Sequence, residues 1–195
     1  MDKNEIAAFF DGCAPFWDGD MIRNEDVIAK ILDNANVTAG AAVLDVACGT
    51  GVLFPDYLKR GVASLTAVDL SPEMVKIARK KFPQAEVILG DVEELKFDRK
   101  FDVIMVYNAL PHFPEPERLI KTLCPLLKSG GTLSIAHGMS RERILRHHSG
   151  SARPISIDLL HETELARIME NYCTVESVVS NGEMYQVTGR NQRPK

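Results

Sequence analysis

The sequence predicts a doubly wound, Rossmann-like α/β domain with a seven-stranded, mostly parallel sheet that ends in an antiparallel hairpin. Three observations lead to this class. Short apolar segments alternate with helix-like segments from residue 40 to residue 138, which is typical of a parallel sheet with helices on both faces. Right-handed crossovers make such a sheet doubly wound. Near the C-terminus, Asn181-Gly182 separates two strand-like segments, and such a pair indicates a hairpin.

Five apolar segments are the predicted parallel strands, because a strand covered on both faces is apolar along its whole length. In chain order they are 41–47, 64–70, 85–91, 101–109 and, after Gly130-Gly131, 132–137. The two predicted hairpin strands are 174–180 and 183–190.

The spacing of apolar residues and the cap signals predict the helices. Helical periodicity covers residues 24–36. A short helix over 52–61 ends at a glycine, and Ser71-Pro72 provides a cap and a first-turn proline for a helix to about Phe82. Two more helices are predicted over 117–127 and 162–171.

Length and composition indicate one globular domain with a small-molecule substrate. The chain has 195 residues, of which 45% are hydrophobic and 26% charged. A domain of this size buries roughly 70% of its unfolded surface. The net charge of -4 argues against a nucleic-acid binder that relies on phosphate contacts.

Cysteine spacing and the N-terminus suggest a cytoplasmic location. The four cysteines form no C-x-x-C pair, so we predict neither a metal site nor a disulfide framework. The N-terminus carries early acidic residues and lacks the apolar core of a signal peptide. No segment approaches the roughly 20 apolar residues of a membrane span. A homodimer is left open.

A glycine loop after the first strand is the predicted ligand site, because ligands bind beyond the carboxyl ends of parallel strands. Gly49 and Gly51 let the backbone turn sharply and approach a ligand. Asp69 ends the second strand, at a spacing suited to a carboxylate that accepts hydrogen bonds from ribose hydroxyls. Asp45 either binds near the ligand or holds backbone amides.

A nicotinamide dinucleotide is the main rival ligand. Its G-x-G-x-x-G motif needs a third glycine for close helix–strand packing, and Phe54 stands at that position. Phe54-Pro55 also crowds the helix N-terminus that a pyrophosphate would use. The sequence therefore disfavours a nicotinamide-dependent oxidoreductase.

Five segments together resemble the class I S-adenosylmethionine-dependent methyltransferases, over roughly residues 40–140, and within them the small quinone-modifying C-methyltransferase group. The segments are VLDVACGTG, VDLSPEM, GDVEEL, FDVIMVYNALPHF and LKSGGTLSIAH. The resemblance implies S-adenosylmethionine as cofactor, S-adenosylhomocysteine as product and the strand order 3-2-1-4-5-7-6. It also implies that the N-terminal segment covers the cofactor.

The resemblance and the loop reading together imply a set of cofactor-binding residues. The first motif would wrap the methionine part, Asp69 the ribose, Leu70 and Val92 the adenine ring, and Asp91 the adenine amino group. Asp91 is alternatively a helix cap, and Cys48 is a small filler rather than a nucleophile, since no base adjoins it in sequence. The full set is Asp45, Ala47, Cys48, Gly49, Thr50, Gly51, Asp69, Leu70, Met74, Gly90, Asp91, Val92 and Asn108.

Histidines and an arginine near the carboxyl edge are the candidate catalytic residues, because a base assists transfer to a hydroxyl, carbon or ring nitrogen. They are His112, His137, Arg141, His147 and His148. The arginine would hold an anionic or carbonyl-bearing acceptor. The alternative for residues 141–148 is an amphipathic helix whose basic face is only solvated. The alternative for His112 is a loop histidine with no part in the reaction.

We therefore expect one methyltransferase domain, 1–195, acting on a small-molecule acceptor. Its parts would be an N-terminal helical cap or lid (1–39), a cofactor-binding core (40–138), an acceptor-side insertion (139–161), and a helix with the terminal hairpin (162–195). The N-terminal aromatic residues would close the site or pack in the core. A non-catalytic cofactor-binding or interaction module is the remaining alternative. Quinone-like, tetrapyrrole-like and other small acceptors all fit the sequence.

Overall fold

A seven-stranded sheet forms the centre of the computed structural model, which describes residues 2–148 and 153–192. The strands are β1 (Ala42–Val46), β2 (Ser64–Asp69), β3 (Glu86–Leu89), β4 (Phe101–Tyr107), β5 (Leu127–His137), β6 (Thr174–Ser180) and β7 (Tyr185–Arg190). Their order is β3-β2-β1-β4-β5-β7-β6. Strands β1 to β5 pair in parallel, and β7 is antiparallel to both β5 and β6. The predicted fold class and strand order are confirmed.

Helices cover both faces of this sheet. In the described part of the chain they are α1 (Lys3–Cys13), α2 (Trp17–Asp20), α3 (Glu25–Asn34), α4 (Phe54–Lys59), α5 (Pro72–Lys81), α6 (Pro116–Leu123), α7 (Arg141–His148) and α8 (Glu162–Glu170). Short 3-10 turns span Leu110–His112, Cys124–Leu126 and Arg153–Ile155. Helices α3, α4 and α5 contribute buried side chains to one apolar cluster, and α6, α7 and α8 to the other.

The predicted Ser71 cap is present in the structure, and Asn24 forms a cap that was not predicted. The Asn24 side chain accepts a hydrogen bond from the Val27 amide at 3.2 Å, and the Ser71 hydroxyl accepts one from the Met74 amide at 3.1 Å. Each bond satisfies an amide that has no partner within the helix. Helices α3 and α5 therefore begin one residue after these caps.

The predicted boundary between the fourth crossover helix and the fifth strand was wrong. Helix α6 ends at Leu123, because Pro125 cannot donate the next helical hydrogen bond and a 3-10 turn follows. Strand β5 already begins at Leu127, and its register with β4 shifts before Thr132. At Gly131 a Cβ atom would lie 2.9 Å from the Phe101 carbonyl oxygen, so this irregular part of the strand needs a residue without a side chain.

The hairpin between β6 and β7 has a longer loop than the sequence suggested. The Asn181 carboxamide oxygen accepts hydrogen bonds from the Glu183 and Met184 amides, each at 2.9 Å. Because this side chain closes a turn over 181–184, β7 begins at Tyr185 rather than at residue 183. No helix within the described residues has both the length and the apolar character needed to cross a membrane.

Candidate functional site

A cleft with about 1070 Å³ of empty space lies at the carboxyl ends of the parallel strands. Its walls come from the loops after β1, β2, β3 and β4. Residues 3–21, here called the roof, cover it with α1 and α2. The lining residues are Lys3, Ile6, Ala7, Phe10, Trp17, Met21, Val46, Ala47, Cys48, Gly49, Val52, Val68, Asp69, Leu70, Ser71, Met74, Gly90, Asp91, Val92, Glu93, Tyr107, Asn108, Ala109, His112, Phe113 and Pro114.

The cleft brings together most of the predicted cofactor-binding residues. Those that line it are Ala47, Cys48, Gly49, Asp69, Leu70, Met74, Gly90, Asp91, Val92 and Asn108. Asp45, Thr50 and Gly51 are not among the lining residues.

The glycine loop has a left-handed backbone at several positions. Gly49 has φ 55° and Gly51 has φ 86°, and even Ala47 has φ 55°. A Cβ atom at Gly51 would lie 2.8 Å from the Phe54 ring, which is fully buried beneath the loop. Phe54 thus occupies the space that a third glycine would leave open in a dinucleotide-binding fold.

Asp69 ties the second strand to the glycine loop. One carboxylate oxygen accepts a hydrogen bond from the Gly49 amide at 2.7 Å, and the other accepts one from the Ser71 amide at 2.9 Å. Burial raises the pKa of Asp69, and these amides oppose that rise because they stabilise the charged form. Each carboxylate oxygen can accept more than one hydrogen bond, and Asp69 also lines the cleft.

Asp45 lies directly below this loop, away from the cleft. Its side chain is buried, and burial raises its pKa to about 8. The neighbouring Tyr57 hydroxyl lowers the pKa, and the charge of Asp69 raises it further. Asp45 therefore keeps its proton over much of the range in which an exposed carboxyl group is charged.

Lysine 3 is a cleft residue that the sequence did not reveal. From the first turn of α1, its ammonium group forms an ion pair and hydrogen bond with the Asp91 carboxylate and approaches Glu93 at 3.4 Å. Glu93 in turn accepts a hydrogen bond from Arg118 at 2.6 Å. The start of the roof is thereby attached to the loop after β3.

Two roof carboxylates make similar attachments to the other cleft loops. Asp11 accepts hydrogen bonds from the Ser71 hydroxyl at 2.5 Å and from the Glu73 amide at 3.0 Å. Asp18 accepts hydrogen bonds from Thr50 at 2.5 Å and from Lys81 at 2.6 Å. The Thr50 side chain is thus engaged by the roof rather than exposed to the cleft.

The roof aromatic residues divide between cleft and surface. Phe10 and Trp17 line the cleft with their rings 5.7 Å apart, and the Trp17 indole nitrogen lies 3.6 Å from the position of a Cβ at Gly49. Phe16 is 68% exposed. These residues were expected either to close the site or to pack in the core. Neither expectation applies to all of them.

Among the histidines whose side chains the structure describes, His112 lines the cleft. Its Nδ1 atom lies 3.0 Å from the Ile155 carbonyl oxygen and 3.3 Å from the Ser156 hydroxyl. Because a carbonyl oxygen only accepts, Nδ1 carries a hydrogen, and the neutral ring has its basic lone pair on Nε2. The Phe10 ring packs edge-on against the imidazole at 4.9 Å.

Backbone contacts hold the His112 turn against a distant segment. The Ile157 amide donates a hydrogen bond to the Pro111 carbonyl at 2.7 Å, next to the contact of His112 with Ile155. Residues 155–157 belong to the predicted acceptor-side insertion. This insertion reaches the site through backbone groups and Ser156, and no sequence motif signalled that contact.

Asn108 directly follows β4 and has a left-handed backbone, φ 54°. Its side-chain oxygen accepts a hydrogen bond from the Gly138 amide at 3.0 Å, and its own amide donates to the Ala136 carbonyl at 2.8 Å. Positive φ at both Ala47 and Asn108, on adjacent strand ends, concentrates unusual backbone geometry at the cleft.

Two of the other predicted catalytic residues, His137 and Arg141, are not among the residues that line the cleft. His137 is 2% exposed and packs against the Tyr185 ring at 5.9 Å. The Arg141 guanidinium donates to the Leu159 and Leu160 carbonyls at 3.1 and 3.2 Å. These contacts join α7 to the segment before α8. His147 and His148 end α7, and their side chains lie outside the described part of the structure.

Comparisons with known proteins agree with the motifs and the sheet order. A family model described as a methyltransferase domain matches residues 44–135. A ubiquinone biosynthesis O-methyltransferase from Coxiella burnetii is 34% identical over 144 residues, which are 68% of this chain and 61% of that protein. A demethylmenaquinone methyltransferase from Renibacterium salmoninarum is 32% identical over 148 residues, which are 70% of this chain and 60% of that protein. These matches thus span only about 60% of each curated relative's length.

A solved structure matches over the whole chain. The N-methyltransferase NodS from Bradyrhizobium japonicum, in complex with S-adenosyl-L-homocysteine, superposes with a TM-score of 0.75 over 99% of this chain and 100% of that one. The two sequences are 14% identical, so this likeness shows the fold alone. Together with the family model, these matches confirm the resemblance drawn from the sequence motifs.

Proposed function

We propose that this chain, which resembles the class I S-adenosylmethionine-dependent methyltransferases in its motifs and strand order, transfers a methyl group from S-adenosylmethionine to a small-molecule acceptor. S-adenosylhomocysteine is the second product. One observation carries the proposal: a single cleft joins the Asp69-anchored glycine loop at one end to His112 at the other.

The cofactor end of the cleft has the donors and acceptors that this cofactor needs. Asp69 would accept hydrogen bonds from the ribose hydroxyls, Leu70 and Val92 would hold the adenine ring, and Asp91 would bind its amino group; all four line the cleft. The left-handed glycine loop leaves room for the methionine part. When bound, S-adenosylmethionine supplies a methyl group on a positively charged sulfur.

At the acceptor end, His112 serves as general base. The Ile155 carbonyl fixes the hydrogen on Nδ1, so Nε2 receives the proton that the acceptor loses. The same carbonyl stabilises the ring after it gains a proton, because it accepts a hydrogen bond from a now cationic group. Closing the roof excludes water, and the cleft aligns the reacting groups, which supplies much of the rate.

The acceptor is proposed to be a flat, largely apolar molecule with an acidic hydroxyl or ring carbon. Beside His112 the cleft is lined by aromatic rings, because Phe10 packs against the imidazole and Phe113 follows it in the chain. This lining agrees with the quinone-pathway names of the two curated relatives. A panel of a soluble catechol, a naphthoquinol and a tetrapyrrole, each incubated with radiolabelled cofactor, tests this class. Labelling of the tetrapyrrole alone would contradict it.

The remaining expectations belong to the same proposal. The domain, residues 1–195, would comprise a cap or lid (1–39), a cofactor-binding core (40–138), an acceptor-side insertion (139–161), and a helix with the terminal hairpin (162–195). The enzyme would work in the cytoplasm, where its thiols stay reduced. Size-exclusion chromatography with light scattering decides whether it forms the homodimer.

Replacing Asp69 by alanine tests cofactor binding. Losing a charged hydrogen-bond acceptor should weaken S-adenosylhomocysteine affinity by about 1.5–3 kcal/mol, measured by isothermal titration. Asp102→Asn is the matched control. Its carboxylate also accepts a backbone amide hydrogen bond, from Ala42 at 2.8 Å, but at the opposite end of the sheet. Equal affinity losses in both variants, or none in Asp69→Ala, would remove Asp69 from the site.

Failure to bind S-adenosylmethionine even at millimolar concentration would refute the proposed cofactor. Binding without any labelled product, across all acceptors of the panel, would instead favour the non-catalytic binding module. A rise in melting temperature with a nicotinamide nucleotide, and not with S-adenosylhomocysteine, would favour the oxidoreductase. The three outcomes are thus distinguished by two measurements on the same protein.

A further inference from the structure

One face of α1 lines the cleft and carries a single charged side chain. Lys3, Ile6, Ala7 and Phe10 follow one another at the spacing of a helix face, and all four line the cleft. Among the lining residues that the structure describes, Lys3 is the one lysine or arginine. A cation in the first turn opposes the helix dipole, so the stability of α1 does not account for a lysine at this position.

Three carboxylates of the loop after β3 surround the Lys3 ammonium group. In addition to its hydrogen bond with Asp91, Lys3 Nζ lies 3.4 Å from a Glu93 oxygen and 3.6 Å from a Glu94 oxygen. Burial lowers the pKa of Lys3, but the hydrogen bond and the charge of Asp91 outweigh burial, so this pKa is raised. The charged group has three N–H donors, and these three carboxylates can engage all of them.

A second cation, Arg118 of α6, neutralises one of these carboxylates. The Glu93 side chain is only 6% exposed, and its two oxygens accept hydrogen bonds from Arg118 Nε at 3.0 Å and from Nη2 at 2.6 Å. Such a two-bond pair holds both groups in a fixed orientation. Since Arg118 already pairs with Glu93, Asp91 is the cleft carboxylate that depends most on the charge of Lys3.

The orientation of Asp91 is set by two hydrogen bonds. One carboxylate oxygen accepts from the Glu93 amide at 2.9 Å, and the other accepts from Lys3. An ionised carboxylate accepts hydrogen bonds and donates none, and each oxygen keeps a further lone pair. Asp91 also lines the cleft. A ligand group that meets Asp91 there must therefore donate a hydrogen bond.

We propose that Lys3 is a positioning residue for the adenine end of the cofactor site, and that through Asp91 it makes this end selective for a purine with an amino group at ring position 6. This inference rests on the proposed methyl-transfer function and deepens it. The amino group of adenine donates a hydrogen bond to Asp91. A carbonyl oxygen at the same ring position would face the lone pairs of Asp91, while the donors of Lys3 are engaged by the loop.

The loop would lose this selectivity without Lys3. Asp91, Glu93 and Glu94 would then repel one another, with Arg118 as the remaining cation of this network. Asp91 would relieve the repulsion by turning away or by taking up a proton. A protonated carboxyl group donates a hydrogen bond, so it would accept a purine carbonyl that the ionised form rejects.

Isothermal titration with two ligands measures the selectivity. One is S-adenosylhomocysteine, and the other is S-inosylhomocysteine, in which a carbonyl oxygen replaces the amino group of the purine. The unchanged protein should prefer the first by about 10- to 100-fold. Lys3→Met should reduce this ratio by at least about fivefold, and Lys3→Arg should restore it because charge and donors are kept. No preference in the unchanged protein, or an unaltered ratio in Lys3→Met, would overturn the proposal.

A second roof variant separates selectivity from simple attachment of the roof. Asp11→Asn weakens the attachment of α1 to Ser71 and to the Glu73 amide, at a distance from Asp91 along the helix. It should lower the affinity for both ligands by the same factor and leave their ratio unchanged. If Lys3→Met also lowered both affinities equally, Lys3 would only hold the roof, and the proposed selectivity would be wrong.

Asp91→Asn tests whether Lys3 acts through Asp91. The carboxamide can donate a hydrogen bond to a carbonyl oxygen, so the preference for S-adenosylhomocysteine should fall. Adding Lys3→Met to this variant should then change the ratio no further, and a second decrease would contradict an action through Asp91. Failure of the unchanged protein to bind either ligand would refute the proposed function and this inference together. Normal binding of S-adenosylhomocysteine with an unaltered ratio in Lys3→Met would refute the role of Lys3 alone.

Discussion

Replacing Asp45 by asparagine should make the stability of the protein less dependent on pH. Asp45 is fully buried beneath the glycine loop, and burial raises its pKa from the ordinary 3.8 to about 8. Between these pH values the unfolded chain loses the carboxyl proton while the folded chain keeps it. Folding is therefore favoured at low pH, and this contribution is lost as pH rises towards 8.

The size of this change in the free energy of unfolding follows from the shift in the pKa of Asp45. Each pH unit between the two pKa values costs the folded state about 1.4 kcal/mol, so the full shift corresponds to roughly 6 kcal/mol. Relaxation of the site when Asp45 ionises would reduce this, and about half is a realistic expectation. Asparagine has nearly the same shape and does not ionise, so Asp45→Asn should gain stability relative to the unchanged protein as pH rises from 5 to 8.

Urea denaturation at pH 5, 6, 7 and 8 measures this difference. Asp102→Asn is the control, because its stability difference from the unchanged protein should stay constant from pH 5 to 8. Burial of Asp102 is outweighed by its hydrogen bonds to Lys128 and the Ala42 amide, so its pKa is lowered. Its stabilising effect is present above the ordinary pKa and lost as pH falls below it. A stability difference between Asp45→Asn and the unchanged protein that stays constant from pH 5 to 8 would refute the reasoning.

Two further predictions concern the acceptor base and the glycine loop. His112→Asn should lower the rate of methyl transfer by about 10²- to 10⁴-fold while S-adenosylhomocysteine affinity stays within about twofold. His161→Asn, an exposed helix cap, should leave the rate unchanged, and equal rates in both variants would exclude His112 as the base. Gly51→Ala should destabilise the fold by about 1–3 kcal/mol in thermal unfolding, because φ is 86° and the new Cβ meets the Phe54 ring. Gly182→Ala, where a Cβ meets no atom within 4 Å, should cost less, and the reverse order would contradict the loop geometry.

The sheet and the cofactor end of the cleft could be predicted because their signals are local. A buried parallel strand is apolar along its whole length, and Ser71 and Pro72 mark a helix start within three residues. The place of Asp69 in the cleft could be predicted from its position at the end of a strand, because the carboxyl ends of parallel strands meet at one edge of the sheet. The strand order came from the resemblance, because register between strands leaves little trace in a single sequence.

The acceptor end depends on contacts that a sequence does not signal. His112 is oriented by the backbone carbonyl at position 155. Every residue has a backbone carbonyl, so the residue type at this position does not signal the contact. The ion pair of Lys3 with Asp91 joins residues that are 88 positions apart in the chain. His137 was expected at the open edge because it ends β5, but β7 pairs alongside and Tyr185 covers it.

The attachments of the roof have a consequence for how ligand binding could be observed. Lys3, Asp11 and Asp18 contact Asp91, Ser71 and Thr50, respectively, which belong to the loops that form the cleft. Linkage requires that a ligand which binds more tightly under a closed roof also holds the roof closed, by the same factor. Amide hydrogen exchange in α1 would then report cofactor occupancy, with slower exchange as the cleft fills. The exchange rate of the α1 amides would therefore measure the fraction of the protein that has ligand bound.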